Sequence, residues 1–152
     1  MDAPVKPQGC TNLKLRQLMR RVGQRYDAEV GKSGLRGTQY SLLSYVARLG
    51  PLRPVELAAA MKIDASTLTR NLRPLLEAGW VTLGPGADAR SRLVEITPAG
   101  RDKRQQAQRH WRTAQEALNA RLGTQRVVAL HALIDECMAL LESTGDDDEH
   151  LD

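Results

Sequence analysis

The hydrophobic positions of this chain follow a helical period over most of its length. A first helix is predicted to begin near Thr11, because apolar residues recur from there at steps of three and four. This apolar stripe comprises Leu15, Leu18, Met19, Val22, Tyr26 and Val30. The glycine-containing segment 31–34 ends the pattern.

Three further helical segments follow, separated by short breaks. The spacing predicts helices over residues 38–49, 54–61 and 65–78. Gly50-Pro51 ends the first of these, and Pro54 suits a first helical turn because its missing N–H is not needed there. Asp64 or Ser66 can cap the last of the three helices, and Gly79 ends it.

After these helices the period changes to two residues, which is typical of strands. Residues 80–83 and 92–96 are predicted to pair as a hairpin with segment 84–91 as its loop. Segment 97–100 leads into a long helix of about 20 residues, and Gly123-Thr124 separates it from a sixth helix. Cys137 lies on the apolar face of this last helix, where it is expected to be a small buried hydrophobe.

Composition and charge favour a helical protein with a basic body. The 152 residues include no Phe, three Tyr and two Trp, so the core must consist mainly of Leu, Val, Ala and Met, which suits packed helices. Five of the 18 acidic residues lie in segment 145–152, so the rest of the chain sets 13 acidic residues against 22 Lys and Arg, a net charge of +9. A basic body favours a polyanionic partner such as nucleic acid.

Residues 54–78 combine a short helix, a tight connection and a longer helix, which is typical of a helix-turn-helix. In that motif the second helix enters the major groove of double-stranded DNA, and its apolar face holds it to the domain. The outward side chains that can bond to base edges are Ser66, Thr67, Thr69, Arg70, Asn71 and Arg73. The alternative from this pattern alone is a helical hairpin with a solvated polar face.

The hairpin loop distinguishes these two alternatives. Asp88, Arg90 and Arg92 place two arginines beside one carboxylate, directly after the predicted recognition helix. A flexible arginine at the tip of a wing can enter the narrow, negative minor groove of DNA. The carboxylate can orient it through a charge-assisted hydrogen bond. The position therefore favours a DNA-binding wing over an ordinary charged turn.

The element order predicts a mainly α fold with a small β-hairpin wing, a winged helix-turn-helix flanked by long dimerisation helices. The expected parts are a flexible tail (1–10), a helical dimerisation region (11–34 and 101–144), a DNA-binding lobe (35–100) and a disordered acidic tail (145–152). The terminal helices carry apolar stripes that a small lobe cannot bury alone. We therefore expect the chain to pair with a second copy of itself.

The stretch over residues 35–100 resembles the MarR family of winged-helix repressors. The matching segments read LRGTQYSLLSYV, GPLRPVELAAAMKIDASTLTRNLRPLLEAGWV and DARSRLVEITPAG, and the last resembles the family's wing signature. Flanking helices extend the resemblance to about residues 11–142. The resemblance implies a homodimeric repressor on a pseudo-palindromic operator, with recognition helices in adjacent major grooves about 34 Å apart. It also implies release by a small aromatic ligand or by oxidation.

The resemblance implies a signal site, for which two sets of residues are candidates. A cleft for a small phenol or aromatic acid is expected from Arg16, Arg20, Tyr26, Tyr40, Tyr45 and Trp111. Each of these residues could instead pack in the core or in an interface. Peroxide-sensing relatives carry a reactive cysteine early in the first helix, and Cys10 lies just before the predicted start, where a helix N-terminus favours the thiolate.

The match to the peroxide sensors is incomplete. Cys10 lies slightly before the position of their cysteine, and Gly37 stands near the position where they carry a tyrosine. An inert cysteine in a tail is therefore the alternative to a redox sensor.

Other function classes receive little support from the sequence. Two cysteines are too few for a disulfide framework or a thiolate zinc site. His110, His131 and His150 lack metal-ligand spacing, so neither a metal nor a cofactor is expected. No nucleophile elbow, phosphate loop or carboxylate pair favours an enzyme. The alternatives are a Cys10-based peroxidase and a protein–protein assembly module that does not bind DNA.

The ends and the hydropathy of the chain bear on its location. The first nine residues are polar and proline-rich, unlike a secretory signal peptide. No apolar run approaches the roughly 20 residues that a membrane span needs. The sequence therefore predicts a cytoplasmic protein without membrane contact.

Overall fold

The computed structural model describes residues 4–85 and 92–142. These residues form six α-helices and one two-stranded antiparallel sheet. The helices are α1 (Thr11–Val30), α2 (Gly37–Leu49), α3 (Pro54–Met61), α4 (Ala65–Glu77), α5 (Pro98–Leu122) and α6 (Thr124–Glu142), and the strands are β1 (Val81–Pro85) and β2 (Arg92–Ile96). The chain divides into two compact units, Met1–Ala114 and Gln115–Asp152, and α5 contributes to both.

The predicted fold class is confirmed, with differences at the ends of some elements. Strand β1 begins one residue later and ends two residues later than the period of two predicted. Its extension pairs Gly84 with Leu93 and Pro85 with Arg92. Proline is tolerated there because the end of a strand in a two-stranded sheet does not need its N–H as a donor. Helix α5 is longer than predicted, with 25 residues, because it already begins at Pro98 and no glycine or proline follows Gly100 before Gly123.

The first unit has one apolar core, to which α2, α3, α4 and the hairpin all contribute. Its fully buried side chains include Leu42, Leu43, Leu57, Leu68, Leu75 and Val94. Burial of each large apolar side chain contributes about 2 kcal/mol. The segment between α2 and α3 joins the sheet, since Leu52 and Val94 exchange backbone hydrogen bonds of 3.2 and 2.8 Å. The hairpin is thereby attached to the helical lobe.

Two residues, Thr97 and Gly100, fasten the start of α5 to the end of the α4 segment. The Thr97 hydroxyl donates to the Gly79 carbonyl at 2.7 Å and accepts from the Gly100 N–H at 3.0 Å. The Thr97 N–H donates to the Trp80 carbonyl at 3.0 Å. Gly100 is buried, and a Cβ at this position would overlap the Trp80 carbonyl oxygen. The junction fixes where α5 leaves the lobe.

The second unit is dominated by α6, whose apolar residues are largely exposed. Within the described part of this helix Val127 is buried. Exposed large apolar residues of α6 are Val128, Leu133, Ile134, Met138, Leu140 and Leu141. Cys137 is exposed as well, so the expectation that it is buried is wrong for the single chain. The reason is that its own unit does not cover the apolar face on which it lies.

Replacing Gly100 with Ala should destabilise the protein, whereas replacing Gly23 with Ala should not. The methyl group at position 100 would overlap the Trp80 carbonyl, and overpacking of this kind costs about 1–3 kcal/mol. Gly23 lies inside α1 with open space at the position of a Cβ, so alanine there should raise stability by about 0.5–1 kcal/mol. Denaturant unfolding measures both effects. A Gly100→Ala protein as stable as the parent would contradict the close approach.

Candidate nucleic-acid interface

Helix α4 presents a polar face to solvent because its apolar face is held in the core of the first unit. Leu68, Leu72 and Leu75 are buried along that apolar face. The opposite face borders an open groove of about 420 Å³, lined by Ser66, Thr69, Arg70 and Arg73. The structure thus brings four of the predicted recognition residues onto one exposed surface.

The other two predicted recognition residues are placed differently. Thr67 and Asn71 are half-buried. Asn71 lines a separate cleft beside α1, together with Tyr26 and Trp111. Position 71 therefore belongs to the inner edge of the helix rather than to the groove. A contact of either residue with DNA stays a prediction.

Asp64 caps α4 and holds the hydroxyl groups of its first turn. Its Oδ1 accepts the Ser66 hydroxyl at 2.7 Å and the Thr67 N–H at 2.7 Å, and its Oδ2 accepts the Thr67 hydroxyl at 3.0 Å. Of the two predicted caps, Asp64 is the one that the structure contains. The hydrogen bond from Ser66, followed by those from Thr67, lowers the pKa of Asp64 to about 2 because each favours the ionised carboxylate.

Arg70 and Arg73 supply the positive charge of the groove. Neither arginine forms an ion pair within residues 4–85 and 92–142. Arg70 acts on Asp64 through charge attraction, which is the weakest of the influences on that carboxylate. Three residues apart on a helix, the two guanidinium groups are neighbours. They can donate hydrogen bonds to phosphate oxygens or to the acceptor edge of guanine.

The described residues include only part of the predicted wing. Arg92 is exposed at the start of β2, where it pairs with Pro85. Asp88 and Arg90 belong to segment 86–91, which lies outside the described residues. Their role in a wing therefore stays a prediction. The two strands that carry this loop are present.

The residues predicted to line a ligand cleft divide between two clefts of the first unit. The larger, of about 510 Å³, borders α1, α2 and α5 and is lined in part by Tyr26 and Trp111. The smaller, of about 320 Å³, lies between α2 and α5 and is lined in part by Tyr40, Tyr45 and Trp111. Arg16 and Arg20 are exposed on α1 and line neither cleft.

The smaller cleft contains two arginines that sequence reasoning missed, Arg48 and Arg104. The Arg48 guanidinium carbon lies 4.9 Å from the centroid of the Tyr45 ring. The Arg104 Nε donates to the Ser44 hydroxyl at 3.1 Å. A signal was available for both, because Arg48 follows Tyr45 by three residues and Arg104 precedes Trp111 by seven. These spacings place each arginine on the same helix face as an aromatic ring.

Cys10, the predicted redox sensor, is the N-cap residue of α1. Its thiol is exposed and makes no capping hydrogen bond. The structure therefore places it at the helix start, as the sequence predicted. A sensing role stays a prediction.

The described residues also bear on metal and membrane binding. Across residues 4–85 and 92–142, no three His, Cys, Asp or Glu side chains come together as a metal site would require. The His110 Nδ1 instead lies 3.3 Å from the Glu29 Oε1. In the same ranges, no helix is both long enough and apolar enough to cross a bilayer.

Known proteins resemble this chain in sequence and in structure. A family model described as the MarR family matches residues 33–91. The Mycobacterium tuberculosis transcriptional regulator MosR, solved in complex with DNA, is 34% identical with a TM-score of 0.71, over 86% of this chain and 98% of MosR. The uncharacterized HTH-type transcriptional regulator YwoH of Bacillus subtilis is 29% identical over 90 residues, which is 59% of this chain and 66% of YwoH.

A third relative matches over a shorter stretch. The multiple antibiotic resistance protein MarR of Salmonella typhimurium is 39% identical over 64 residues, which is 41% of this chain and 44% of that protein. The chain therefore spans less than two thirds of the length of these two curated relatives.

Replacing Asp64 with Ala should lower the free energy of unfolding at neutral pH, and the deficit should shrink in acid. The folded-state pKa of about 2 lies below the ordinary 3.8, so the carboxylate stabilises the fold above about 3.8. That contribution is lost as the pH falls through about 2. Denaturant unfolding of parent and variant between pH of about 5 and about 2 measures the difference.

Asp64→Asn is the matched control, because asparagine caps helices about as well as aspartate but does not titrate. A difference between parent and Asp64→Ala that stays constant across this pH range would show that the charge of the carboxylate is not what stabilises α4.

Proposed function

The chain belongs to the MarR family of transcriptional regulators, and we propose that it represses transcription by binding a pseudo-palindromic DNA operator as a homodimer. The observation that carries the proposal is the exposed face of α4, where Arg70 and Arg73 stand beside Ser66 and Thr69. Under this proposal the protein acts in the cytoplasm, where its DNA target lies, and needs neither a cofactor nor catalysis.

Duplex DNA offers the chemistry that this face can bind. A helix fits the major groove, and an arginine can bond in a bidentate manner to the O6 and N7 atoms of guanine. The net charge of +9 outside segment 145–152 adds a sequence-independent attraction to phosphate. Arg92, with Asp88 and Arg90 predicted from the sequence, would bind DNA from the wing beside the recognition helix.

Exposed apolar side chains in both units support the homodimer. In α1, Leu15 and Met19 are 57% and 73% exposed although they lie on an apolar stripe. In α6, Leu133 and Leu141 are 59% and 71% exposed. Such surfaces usually mark an interface in a soluble protein, and a second copy could bury both. Two-fold symmetry would then place the recognition helices about 34 Å apart.

We propose that a small aromatic acid or phenol releases the DNA by binding the cleft between α2 and α5. The Tyr40 and Trp111 rings, with centroids 6.1 Å apart, would contact the apolar ring of the ligand. Arg48 and Arg104 would bind the carboxylate of an aromatic acid, since neither arginine forms an ion pair among the described residues. Helix α2 also packs against α4, so a ligand here could move the recognition helix. Oxidation of Cys10 is a second proposed signal.

Arg70→Ala and Arg73→Ala should each weaken operator binding while leaving the fold intact. If the arginine bonds to a base, its removal should weaken the protein's affinity for DNA about five- to 150-fold, and this loss should depend on one operator position. If the arginine binds phosphate instead, its removal should weaken binding to every DNA sequence. It should also lower the slope of log affinity against log salt concentration by about one. Fluorescence anisotropy at two salt concentrations, with duplex from upstream of the protein's own gene, measures both. Arg109→Ala is the control, because it removes an exposed arginine from α5 rather than α4.

The outcome of this experiment also separates the regulator from an assembly module. Tight, selective binding that falls steeply with salt would support the regulator. If genome-wide site selection yields no preferred duplex and binding is insensitive to salt, the DNA-binding proposal fails and a protein partner becomes the better hypothesis.

The effector proposal predicts that 4-hydroxybenzoate weakens DNA binding by the parent and that Arg104→Gln removes this response. The variant lacks a charge-assisted hydrogen bond to the carboxylate. The concentration of 4-hydroxybenzoate required to weaken DNA binding should therefore rise at least about tenfold. Anisotropy titrations with and without the acid measure it. Arg16→Gln should respond like the parent, because Arg16 does not line the cleft. An Arg104→Gln response equal to the parent's would exclude this cleft, and release by peroxide that Cys10→Ser abolishes would identify oxidation as the signal.

A further inference from the structure

The hydroxyl groups of α4 all donate their protons inside the helix. Ser66 donates to the Asp64 Oδ1 at 2.7 Å, and Thr67 donates to the Asp64 Oδ2 at 3.0 Å. Thr69 donates to the Ala65 carbonyl at 2.9 Å. A hydroxyl has one proton to donate and two lone pairs that accept. To a molecule in the groove, the hydroxyl groups of Ser66 and Thr69 therefore offer only acceptors.

The same arrangement makes the Ser66 hydroxyl and its Asp64 partner unsuited to phosphate. Free N–H groups at a helix N-terminus usually attract anions, but the Thr67 N–H is bonded to the Asp64 carboxylate at 2.7 Å. The negative charge of that carboxylate repels a phosphate group. Phosphate oxygens also accept hydrogen bonds and have none to donate, so they cannot pair with the lone pairs of Ser66. The Ser66 hydroxyl therefore suits a base edge rather than the DNA backbone.

Only some base edges can donate to such an acceptor. In the major groove, adenine presents its N6 amino group and cytosine its N4 amino group, whereas guanine and thymine present acceptors. We infer that Asp64 is a positioning residue that makes Ser66 selective for an amino base, adenine or cytosine, on the contacted strand of each half-site. The inference rests on the proposed DNA binding and adds the class of base that this turn recognises.

The arginines of α4 donate hydrogen bonds to the groove, whereas its hydroxyl groups accept them. A guanidinium group only donates hydrogen bonds, so Arg70 and Arg73 suit guanine or phosphate. Along the groove, the Ser66 side chain at the first turn therefore accepts hydrogen bonds, and the arginine side chains that follow donate them. Thr69 adds a second acceptor, which does not depend on Asp64 because its proton is held by the Ala65 carbonyl.

The test compares site selection from a random-sequence duplex library by the full-length parent, Ser66→Ala and Asp64→Gly. Ser66→Ala should lose the preference for adenine or cytosine at one position of each half-site, with about two- to tenfold weaker binding to the parent's site. Glycine at position 64 is still tolerated as a helix N-cap, but it has no side-chain oxygen to accept the Ser66 proton. The Ser66 proton is then released, so Asp64→Gly should tolerate guanine or thymine at that same position.

A second measurement removes the partner group from the DNA. At the position that Ser66→Ala identifies, adenine is replaced by purine, or cytosine by 2-pyrimidinone, each of which lacks the exocyclic amino group. The parent should bind this duplex about two- to tenfold less tightly. Ser66→Ala should bind both duplexes equally, because it has no hydroxyl to accept the bond.

The control variant is Glu77→Gln, which removes an exposed carboxylate at the other end of α4 and should leave every base preference unchanged. Thermal unfolding verifies that Asp64→Gly is folded. The inference is overturned if the parent prefers guanine or thymine at the Ser66 position, or if Asp64→Gly retains the parent's preference there. A parent that selects no sequence at all overturns the proposed function, and this inference with it.

Discussion

The fold of the first unit depends on the junction at which the Thr97 hydroxyl bonds to the Gly79 carbonyl and the Gly100 N–H. Gly79 follows α4, and Gly100 lies in the first turn of α5. One side chain therefore connects the segment after α4 to the start of α5. The absence of a Cβ at position 100 lets the two segments approach so closely, since the Trp80 carbonyl occupies that space.

This junction constrains how a signal could reach DNA. The Lys103 ammonium lies 5.5 Å from the Trp80 ring centroid and reinforces the attachment of α5 to the start of the hairpin. A displacement of α5 would therefore act on the hairpin and on the C-terminal end of α4 together. The N-terminal end of α4 is held separately, by Asp64 and its hydrogen bonds to Ser66 and Thr67. The two ends of the helix are thus controlled by different contacts.

The two clefts both border α5, the helix that begins at that junction. Trp111 of α5 lines both, and the clefts otherwise differ in charge. The smaller cleft contains Arg48 and Arg104, whereas the charged residue of the larger one is Asp27. An anionic ligand is therefore better matched to the smaller cleft. Hydrogen bonds from Lys32 and then His110 lower the pKa of Glu29, and the one from His110 connects α1 to α5.

The amino-acid sequence by itself determined the order of the elements and the outward face of α4. Leucines at positions 68, 72 and 75 recur at helical spacing, so burying them directs Ser66, Thr69 and Arg70 to solvent in any fold that keeps the helix. The cap at Asp64 also depends only on neighbours in sequence. Such features are predictable because helix geometry fixes the distances between residues three or four positions apart.

Only the tertiary structure decided which polar groups from distant elements meet. Arg104 bonds to Ser44 across 60 positions of sequence, and Asn71 turns to the cleft beside α1 rather than to the groove. The exposure of Cys137 likewise depends on whether another element covers α6, which the apolar period cannot reveal. The hydrophobic pattern specifies which face of a helix seeks burial, whereas the packing of whole elements specifies what that face and its edges contact.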